Sequence, residues 1–572
     1  MILSPDCAAG VIARLLRARG VDRIFGLCGG HIMPMWMRAD AEGIRIIDTR
    51  DERAAVHMAQ AHAEITGGLG VAMVTAGPAL TNAMTGIANA HVSRVPLLIL
   101  GGTPPRPQEN RGALQDMDHT QLVRSVTRYA RTIRDPDSVL RELDDAIARA
   151  FGEGGEPGPV FIEFATDTLR ALVPKAIQME EHFRPKPRVV LMPAPDQVKA
   201  AVDLLWSAKK PLVISGRGAQ KAGPELIRFL DRLGAAYLDT GESRGIVPDD
   251  HPSVVAATRG AIMGDADVVL TIGRKLDFQV AFGSPGVFGK AQFIRIGDTG
   301  AELRDNRRGA VEILATPAET LKAMTELAGN RKSSVDPKWI GGYRAKHVER
   351  AAKLKASLAT APPGKDGKMH PNRMLAALQP HLTPDTVLII DGGDFLSFAR
   401  VALSGVKTVL DPGPFGCIGV GVPYGVAAGL LTPQRNAVVA TGDGSFGFNA
   451  MELDTAVRHN SQTVFVVANN AGWQVEVYDQ ETTHNGRIVG TRLRSSDYAA
   501  MARALGMHGE RVEKPEDLAG AMERAFANKP ALIDVVITPD AVSADAKTGL
   551  AWVPDLQALS TWDDAERKWR EG

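Results

Sequence analysis

Short apolar runs alternate with helical segments along most of the chain, and this alternation is what most constrains the fold. The runs are too short to span a membrane and suit buried strands. Parallel strands are buried on both faces, because the helices that connect them cover the sheet from both sides. The runs fall into three blocks. The sequence therefore predicts an α/β protein with three doubly wound parallel-sheet domains.

The predicted strands leave gaps that suit connecting helices. They are residues 23–27, 45–48, 71–75, 96–100 and 160–164 in the first block, 211–215, 236–238, 268–272 and 293–296 in the second, and 386–390, 437–440, 463–468 and 531–536 in the third. Helices are predicted over residues 52–66 and 337–358, and five prolines in residues 172–195 indicate a linker. No sequence similarity between the first and third blocks is visible, so a shared topology stays open.

Composition excludes several classes of function. Lys plus Arg and Asp plus Glu are both 66 among 572 residues, so the formal charge is zero and neither a nucleic acid nor an anionic membrane is an expected partner. Three scattered cysteines favour neither a disulfide scaffold nor structural zinc. With no signal-peptide pattern, we expect a cytoplasmic enzyme. The 58 glycines suggest close backbone approaches, as in phosphate-binding α/β proteins.

The motif that carries chemistry lies in the third block. A predicted strand runs into Gly442-Asp443-Gly444-Ser445, a helical segment follows, and the next predicted strand ends at Asn469-Asn470. Neighbouring parallel strands would bring Asp443 and Asn470 to one sheet edge, where open α/β sheets bind ligands. A carboxylate, an amide oxygen and a nearby carbonyl suit Mg²⁺, and Gly442 and Gly444 allow backbone N–H groups to approach phosphates.

This pattern resembles the diphosphate–magnesium motif of thiamine diphosphate (ThDP) enzymes. The order of the blocks resembles the acetolactate synthase/decarboxylase branch, which implies a pyrimidine-binding domain (1–172), a central Rossmann-like domain (190–330), a diphosphate-binding domain (365–540) and a C-terminal tail or lid (541–572). The resemblance implies that Asp443, Asn470 and the backbone oxygen of Gly472 bind Mg²⁺. It also implies a set of ThDP contacts, with Ile418 as the side chain that bends the cofactor: Gly392, Gly393, Asp394, Phe395, Leu396, Ile418, Gly442, Asp443, Gly444, Ser445, Asn470, Gly472 and Trp473.

Cofactor activation in this family needs a glutamate against N1′ of the aminopyrimidine. Glu52 follows a predicted strand and opens a predicted helix, which matches the family position. A helix-start charge favoured by the macrodipole is the alternative role for Glu52. In the family this glutamate and the magnesium motif of one site come from different subunits. The resemblance thus implies a homodimer as the minimum and a homotetramer as the expected assembly.

The first block also bears on the reaction. Phe25-Gly26-Leu27-Cys28-Gly29-Gly30-His31-Ile32 resembles the corresponding segment of benzaldehyde lyases, which implies that His31 and Gln115 face the substrate oxygen. A histidine that titrates near neutrality can relay the hydroxyl proton, and an amide can hydrogen-bond the substrate without adding charge. A buried core histidine and a surface amide are the structural alternatives.

Other features point to neighbouring reactions. Residues 445–452 resemble 2-hydroxyacyl-CoA lyases, and Gly-rich turns with Arg217, Arg274 and Asp298 lie where relatives bind ADP, CoA or FAD. The Gly-Xaa-Pro-Gly turn of acetolactate synthases is absent at residues 29–31, and only His119 stands where 2-keto acid decarboxylases have a histidine pair.

The expected function is a ThDP- and Mg²⁺-dependent carbon–carbon lyase and carboligase. Its substrate would be a 2-hydroxy ketone or a 2-hydroxyacyl-CoA, cleaved to an aldehyde or ketone plus an acyl-anion equivalent. The alternatives are acetolactate synthase-like transfer from pyruvate and 2-keto acid decarboxylation. Glu52, Asp443 and Asn470 argue against a ThDP-binding protein without catalysis.

Overall fold

The computed structural model describes residues 3–431 and 434–572, so residues 1–2 and 432–433 of the predicted domains lie outside the described residues. It contains three parallel sheets flanked by helices, which confirms the predicted fold class. The first sheet has the strand order β2-β1-β3-β4-β6-β5. Strands β1–β6 are Arg23–Gly26, Arg45–Asp48, Gly70–Val74, Leu97–Thr103, Tyr129–Ile133 and Pro159–Ala165. Helices α1–α7 are Ala8–Ala18, Met33–Ala41, Glu52–Thr66, Pro78–Val92, His119–Val123, Val139–Ala150 and Thr166–Arg170.

The central sheet has five strands in the order β11-β10-β9-β7-β8. Strands β7–β11 are Pro211–Ser215, Ala236–Leu238, Val268–Ile272, Gln292–Gly297 and Val311–Leu314. Helices α8–α13 are Pro195–Ser207, Gly223–Leu233, Arg259–Asp265, Pro285–Phe288, Gly300–Leu303 and Pro317–Ala328, and the predicted helix that follows is α14, Pro337–Leu358.

The third sheet has the order β13-β12-β14-β15-β17-β16. Renumbered from its first strand, this order is that of the first sheet, so the two domains share a topology that the sequence left open. Strands β12–β17 are Val387–Asp391, Thr408–Leu410, Ala437–Gly442, Thr463–Asn469, His508–Val512 and Ala531–Val536. Helices α15–α22 are Pro371–Leu378, Asp394–Ala402, Gly421–Leu431, Asp443–Gly447, Glu452–Arg458, Gln474–Thr483, Tyr498–Ala504 and Leu518–Ala527, and α23 is Ser560–Arg570.

Both faces of each sheet are buried, because successive strand residues enter different apolar clusters. In β4, Leu97 and Ile99 belong to one cluster, whereas Leu98 and Leu100 belong to another. The alternation repeats in the central and third sheets. This burial explains why the central strands are apolar throughout and could be predicted from sequence.

The first and third domains of the chain share one apolar cluster, which α3, α4 and α17 build between the two sheets. Polar groups are buried in the same contact. Asn89 donates to Gln60 and to the hydroxyl of Tyr424, and the Tyr424 ring lies edge-on to His57 at 6.1 Å between centroids. Complete burial beside Arg53 lowers the pKa of His57 to about 3.

The C-terminal tail joins two domains. Its helix α23 packs against α11 of the central domain, where Ser284 donates a hydrogen bond to Glu566. At its other end, the backbone N–H of Ser543 donates to Asp394 at the start of α16 (3.0 Å). The tail therefore spans the central and third domains. None of the helices in the described ranges combines the length and apolar character that a membrane span requires.

The buried histidines of α3 predict an acid-sensitive fold. Burial lowers the pKa of His57 to about 3 and that of His62 to about 4, so below about pH 6.5 the unfolded chain binds protons that the folded chain does not. Each histidine should then reduce the free energy of unfolding by up to about 1.4 kcal/mol per pH unit as the pH falls.

Urea denaturation between about pH 7 and pH 5 measures this loss. His57→Gln should make the denaturation midpoint less dependent on pH. The matched control is His484→Gln, at a side chain that is 64 % exposed, and it should leave the dependence unchanged. An equal slope in wild type and His57→Gln would contradict the assignment.

Candidate functional site

The predicted magnesium residues lie at the carboxyl edge of the third sheet. The register pairs Asp391 with Thr441 and Gly442 with Ala468, so the ends of β12, β14 and β15 stand side by side. The strand order reverses between β12 and β14. Crevices at such reversals are where open α/β sheets bind ligands.

Asp443 and Asn470 present oxygens that nothing in the described residues satisfies. The Asp443 carboxyl is buried, and burial raises its pKa to about 7 although the backbone N–H groups of Gly444, Ala471 and Gly472 act in the opposite direction. Its Oδ2 and the Oδ1 of Asn470 are buried without a hydrogen-bond partner among the described residues. Unsatisfied buried oxygens of this type fit a hard divalent cation such as Mg²⁺.

The loop that carries Gly472 is held by a second segment of backbone. Trp473 N–H donates to the carbonyl of Thr491 (2.9 Å), and Leu493 N–H donates to the carbonyl of Ala471 (2.8 Å). Ala471 has a φ of 55°, which a non-glycine residue adopts only when its surroundings impose it. On the other side of the loop, a β-carbon at Gly444 would lie 2.7 Å from the Trp473 ring, so a larger residue would displace that ring.

Asp391 ties the end of β12 to the turn before α17. Its buried carboxylate accepts the backbone N–H groups of Gly392 (2.6 Å), Gly419 (3.0 Å) and Gly421 (2.8 Å). Asn449 donates to the carbonyl of Gly419 from the opposite side (2.6 Å). The half-buried Ile418 therefore stands on a turn fixed from two directions. The sequence suggested backbone contacts after this strand but not the role of Asp391.

At the start of α16, backbone N–H groups rather than side chains are available to contact a ligand. Gly392 has a φ of 114°, and a β-carbon there would lie 3.5 Å from both Gly442 N and Ser445 Oγ. Phe395 and Leu396 pack their side chains into the apolar core, and Asp394 is engaged by Ser543 of the tail. Gly393 precedes the helix and is exposed, next to the N–H groups of its first turn.

In the first domain, His31 and Gln115 meet at the carboxyl edge of the sheet. Gln115 lies close enough to the His31 side chain to act on its pKa, and His31 Nδ1 is buried without a hydrogen-bond partner among the described residues. Burial lowers the pKa of His31 and Gln115 opposes this effect, with burial the larger of the two, so the imidazole is neutral at neutral pH. Gly77, after β3, has a φ of 61°, and a β-carbon there would lie 2.9 Å from Gln115 Cβ. Only glycine allows this approach.

His119 fixes the same turn, a role that the sequence did not reveal. Its Nε2 accepts the Gly77 N–H (2.8 Å), so its proton is on Nδ1, which donates to Glu163 (2.7 Å). Glu163 also accepts the hydroxyl of Thr132 (2.6 Å), and all of these groups are buried or half-buried. The histidine is thus a support for the turn beside Gln115.

Glu52 begins α3 and is buried. Asp51 caps the helix by accepting the Arg53 N–H (2.8 Å), and Glu52 itself accepts a hydrogen bond from Asn82 (3.0 Å). No hydrogen bond or ion pair within the described ranges joins Glu52 or His31 to Asp443 or Asn470. The two halves of the predicted site are therefore not linked directly within one chain.

The central sheet edge is filled by ion pairs of the chain itself. Arg274 pairs with Glu242 (2.9 Å) and Asp277, and Arg217 reaches Glu64 of the first domain (3.3 Å). The N–H groups of Gly216 and Gly218 already donate to Ile272 and Gly273. These arginines and glycines are thus engaged within the chain, and nothing in this edge supports the ADP, CoA or FAD site considered from the sequence.

Comparison with known proteins gives the class. Residues 7–122 match the description "Thiamine pyrophosphate enzyme, N-terminal TPP binding domain", residues 198–324 match the central domain of these enzymes, and residues 392–535 match their C-terminal TPP binding domain. Thiamine pyrophosphate is another name for ThDP. The chain belongs to the thiamine pyrophosphate enzyme family.

Similar proteins narrow the relationship. A "Probable acetolactate synthase" of Mycobacterium bovis is 34% identical over 543 residues, covering 93% of this chain and 96% of that protein. A "2-hydroxyacyl-CoA lyase 2" of Caenorhabditis elegans is 30% identical (88% and 84% covered), and a "2-hydroxyacyl-CoA lyase" of Arabidopsis thaliana is 29% identical (92% and 95% covered). This chain is a ThDP-dependent enzyme related to both groups.

Removing the Asp391 carboxylate should loosen the turn at Gly419. Asp391→Ala leaves buried N–H groups without an acceptor, at a cost of about 1–3 kcal/mol each. Amide hydrogen exchange of residues 416–422 should accelerate, and the denaturation midpoint should fall. Asp385→Ala is the control, because Asp385 is 65 % exposed just before the same strand. Unchanged exchange in Asp391→Ala would show that the turn is held by other contacts.

Proposed function

We propose that this enzyme is a ThDP- and Mg²⁺-dependent carbon–carbon lyase that also runs carboligation. Its substrate is a 2-hydroxyacyl-CoA or a 2-hydroxy ketone, which it cleaves to an aldehyde or ketone and an acyl-anion equivalent. The observation that carries the proposal is the proximity of His31 and Gln115 beside the Gly77 turn, with His31 Nδ1 left without a hydrogen-bond partner among the described residues. The names of the worm and plant relatives support the same reaction class.

In the proposed cofactor site, Asp443, Asn470 and the Gly472 carbonyl bind Mg²⁺. Their support is the pair of unsatisfied buried oxygens on Asp443 and Asn470. Gly442, Gly444, Ser445 and the first turn of α16 bring N–H and hydroxyl groups toward the diphosphate. When bound, ThDP supplies a nucleophilic carbon that adds to the substrate carbonyl and stabilises the acyl group as an anion equivalent.

The protein side chains handle protons and orientation. Glu52 holds a proton at N1′ of the aminopyrimidine, with Asn82 fixing its carboxylate. Neutral His31 takes the substrate hydroxyl proton while the adjacent carbon–carbon bond breaks and the leaving fragment becomes a carbonyl. Gln115 donates to the substrate oxygen without adding charge. Ile418 would support the bent form of the cofactor, as the family resemblance implies.

The proposed active unit is at least a homodimer, with a homotetramer expected. Glu52 has no direct link to the magnesium residues of its own chain within the described ranges. A partner subunit would bring its Glu52 to the cofactor held by this chain, as the family resemblance implies.

Acetolactate synthase-like transfer from pyruvate is the second candidate. The Mycobacterium bovis relative, at 34% identity, favours it. Decarboxylation of a 2-keto acid is a further alternative from the sequence. Both reactions use the same cofactor site as the lyase reaction. The residues that contact the substrate therefore decide which of the three reactions takes place.

A substrate screen tests the lyase proposal. With ThDP and Mg²⁺, 2-hydroxyacyl-CoA thioesters or 2-hydroxy ketones such as benzoin and acetoin should be cleaved with a kcat/KM at least about tenfold above that for pyruvate. His31→Ala should slow cleavage about 100-fold or more, whereas His182→Ala should not. Faster conversion of pyruvate to acetolactate would contradict the proposal. Removal of Mg²⁺ by a chelator should abolish turnover.

The role of Glu52 has its own test. Glu52→Gln keeps a hydrogen-bond acceptor for Asn82 but cannot exchange a proton, so ThDP should still bind. Turnover and deuterium exchange at C2 of bound ThDP should fall about 100-fold or more. Asp40→Asn, at an exposed residue of α2, is the control. Full turnover in Glu52→Gln would refute the proposed activation of the cofactor.

A further inference from the structure

The turn that presents Glu52 is held by a side chain from the other cofactor-binding domain. Glu452 begins α19 in the third domain and is 1% exposed. Its Oε1 accepts the backbone N–H of Arg50 (3.0 Å), and this bond crosses from the third domain to the first within a single chain. Within α19, Thr455 donates its hydroxyl to Oε2 (2.5 Å).

The residue held in this way, Arg50, lies two positions before Glu52. Its N–H group precedes the first turn of α3, and Glu452 supplies the acceptor. The next residue, Asp51, caps α3. The position of the Glu52 side chain therefore depends on an acceptor that lies 402 residues beyond Arg50 along the chain.

Other contacts join the first and third domains close to Glu452. Arg53 donates to the carbonyl of Phe448 (2.9 Å), and His459 hydrogen-bonds Asp48 (2.8 Å). A cavity of about 450 Å³ lies along the contact. It is lined by residues 50, 51, 53 and 447–452, together with Met501. Among the lining residues from the third domain, Glu452 accepts a backbone N–H group of the turn before Glu52. The surrounding contacts therefore dock the domains, and Glu452 orients the turn.

A carboxylate is a costly choice for a purely structural contact. Burial raises the pKa of Glu452 to about 7, and the nearby Asp51 acts in the same direction. Apolar packing would join the domains without this cost, but it would leave the Arg50 N–H group without an acceptor. The contact is therefore explained by what it does to the turn.

We propose that Glu452 is a positioning residue for cofactor activation, which holds the Arg50–Asp51 turn so that Glu52 is presented in one orientation. This inference rests on the proposed function, because it assigns Glu452 a role through Glu52. Within the described part of the chain, Glu452 makes no hydrogen bond or ion pair with the proposed metal ligands. Its loss should lower the rate of cofactor activation and leave binding of cofactor and substrate in place.

The test compares Glu452→Ala and Glu452→Gln with Asp454→Asn. Asp454 lies on the same helix and pairs with the Arg50 side chain (3.5 Å), so its variant removes a charge from the same contact but leaves the backbone acceptor intact. The first readout is amide hydrogen exchange of residues 48–53 in the cofactor-free protein. The second is C2 deuterium exchange of bound ThDP, with kcat, KM and the Kd of ThDP measured alongside.

Glu452→Ala should accelerate amide exchange at Arg50 and Asp51 by about tenfold or more. It should lower kcat and the C2 exchange rate about 10- to 100-fold while KM and the Kd of ThDP change little. Glu452→Gln should be intermediate, because one amide oxygen replaces two carboxylate oxygens, and this variant remains informative where the alanine variant does not fold. Asp454→Asn should match wild type.

Unchanged amide exchange in both Glu452 variants would overturn the proposal, as would wild-type C2 exchange in a variant with a loosened turn. An equal loss of kcat in Asp454→Asn would assign the effect to domain docking. Failure of the proposed function is separate, since it would appear as full turnover in Glu52→Gln. The amide exchange of residues 48–53 tests the Glu452 contact in either case.

Discussion

The buried carboxylate of Asp391 is the interaction on which the rest of the candidate site depends. It ends β12 where the strand order reverses, and it accepts N–H groups from its own neighbour and from the turn before α17. That turn carries Ile418, and Asn449 holds its other side. Desolvating a carboxylate is unfavourable, and several backbone donors offset the cost. The Asp391 side chain thus fixes the end of β12 relative to the turn that precedes α17.

Three buried carboxylates near the site differ in how many hydrogen-bond donors their oxygens have. Those of Asp391 and Glu452 are satisfied by N–H and hydroxyl donors of the chain, so they fasten backbone segments together. Asp443 keeps one oxygen without a partner among the described residues, and so does the Asn470 amide at the same sheet edge. That difference separates a carboxylate with capacity for a cation from two that serve the architecture.

The fold could be predicted wherever burial leaves a continuous apolar run. All strands buried on both faces were predicted, as were α3 and α14. The strands that sequence analysis missed are β5, β11, β13 and β16, and each of them lies at the edge of its sheet. The missed strands are only partly buried: Tyr129–Ile133, for example, has one fully buried residue. Sequence patterns of burial give a weak signal for a strand that is stabilised mainly by backbone pairing with its neighbour.

The candidate site also combines residues that can be predicted from local sequence with residues that cannot. The magnesium candidates and Glu52 lie in short motifs. Their chemistry can be predicted from sequence because the strand, turn and helix that position each residue follow one another along the chain. The residues that support the site do not lie in such motifs. His119 accepts from Gly77, 42 residues away, and Glu452 accepts from Arg50, 402 residues away. Each accepts a backbone N–H group, which every residue except proline supplies. A hydrogen bond donated by a backbone N–H leaves no sequence signature at the donating residue. Sequence therefore indicates which groups react, whereas the groups that hold them in place become visible only in the folded chain.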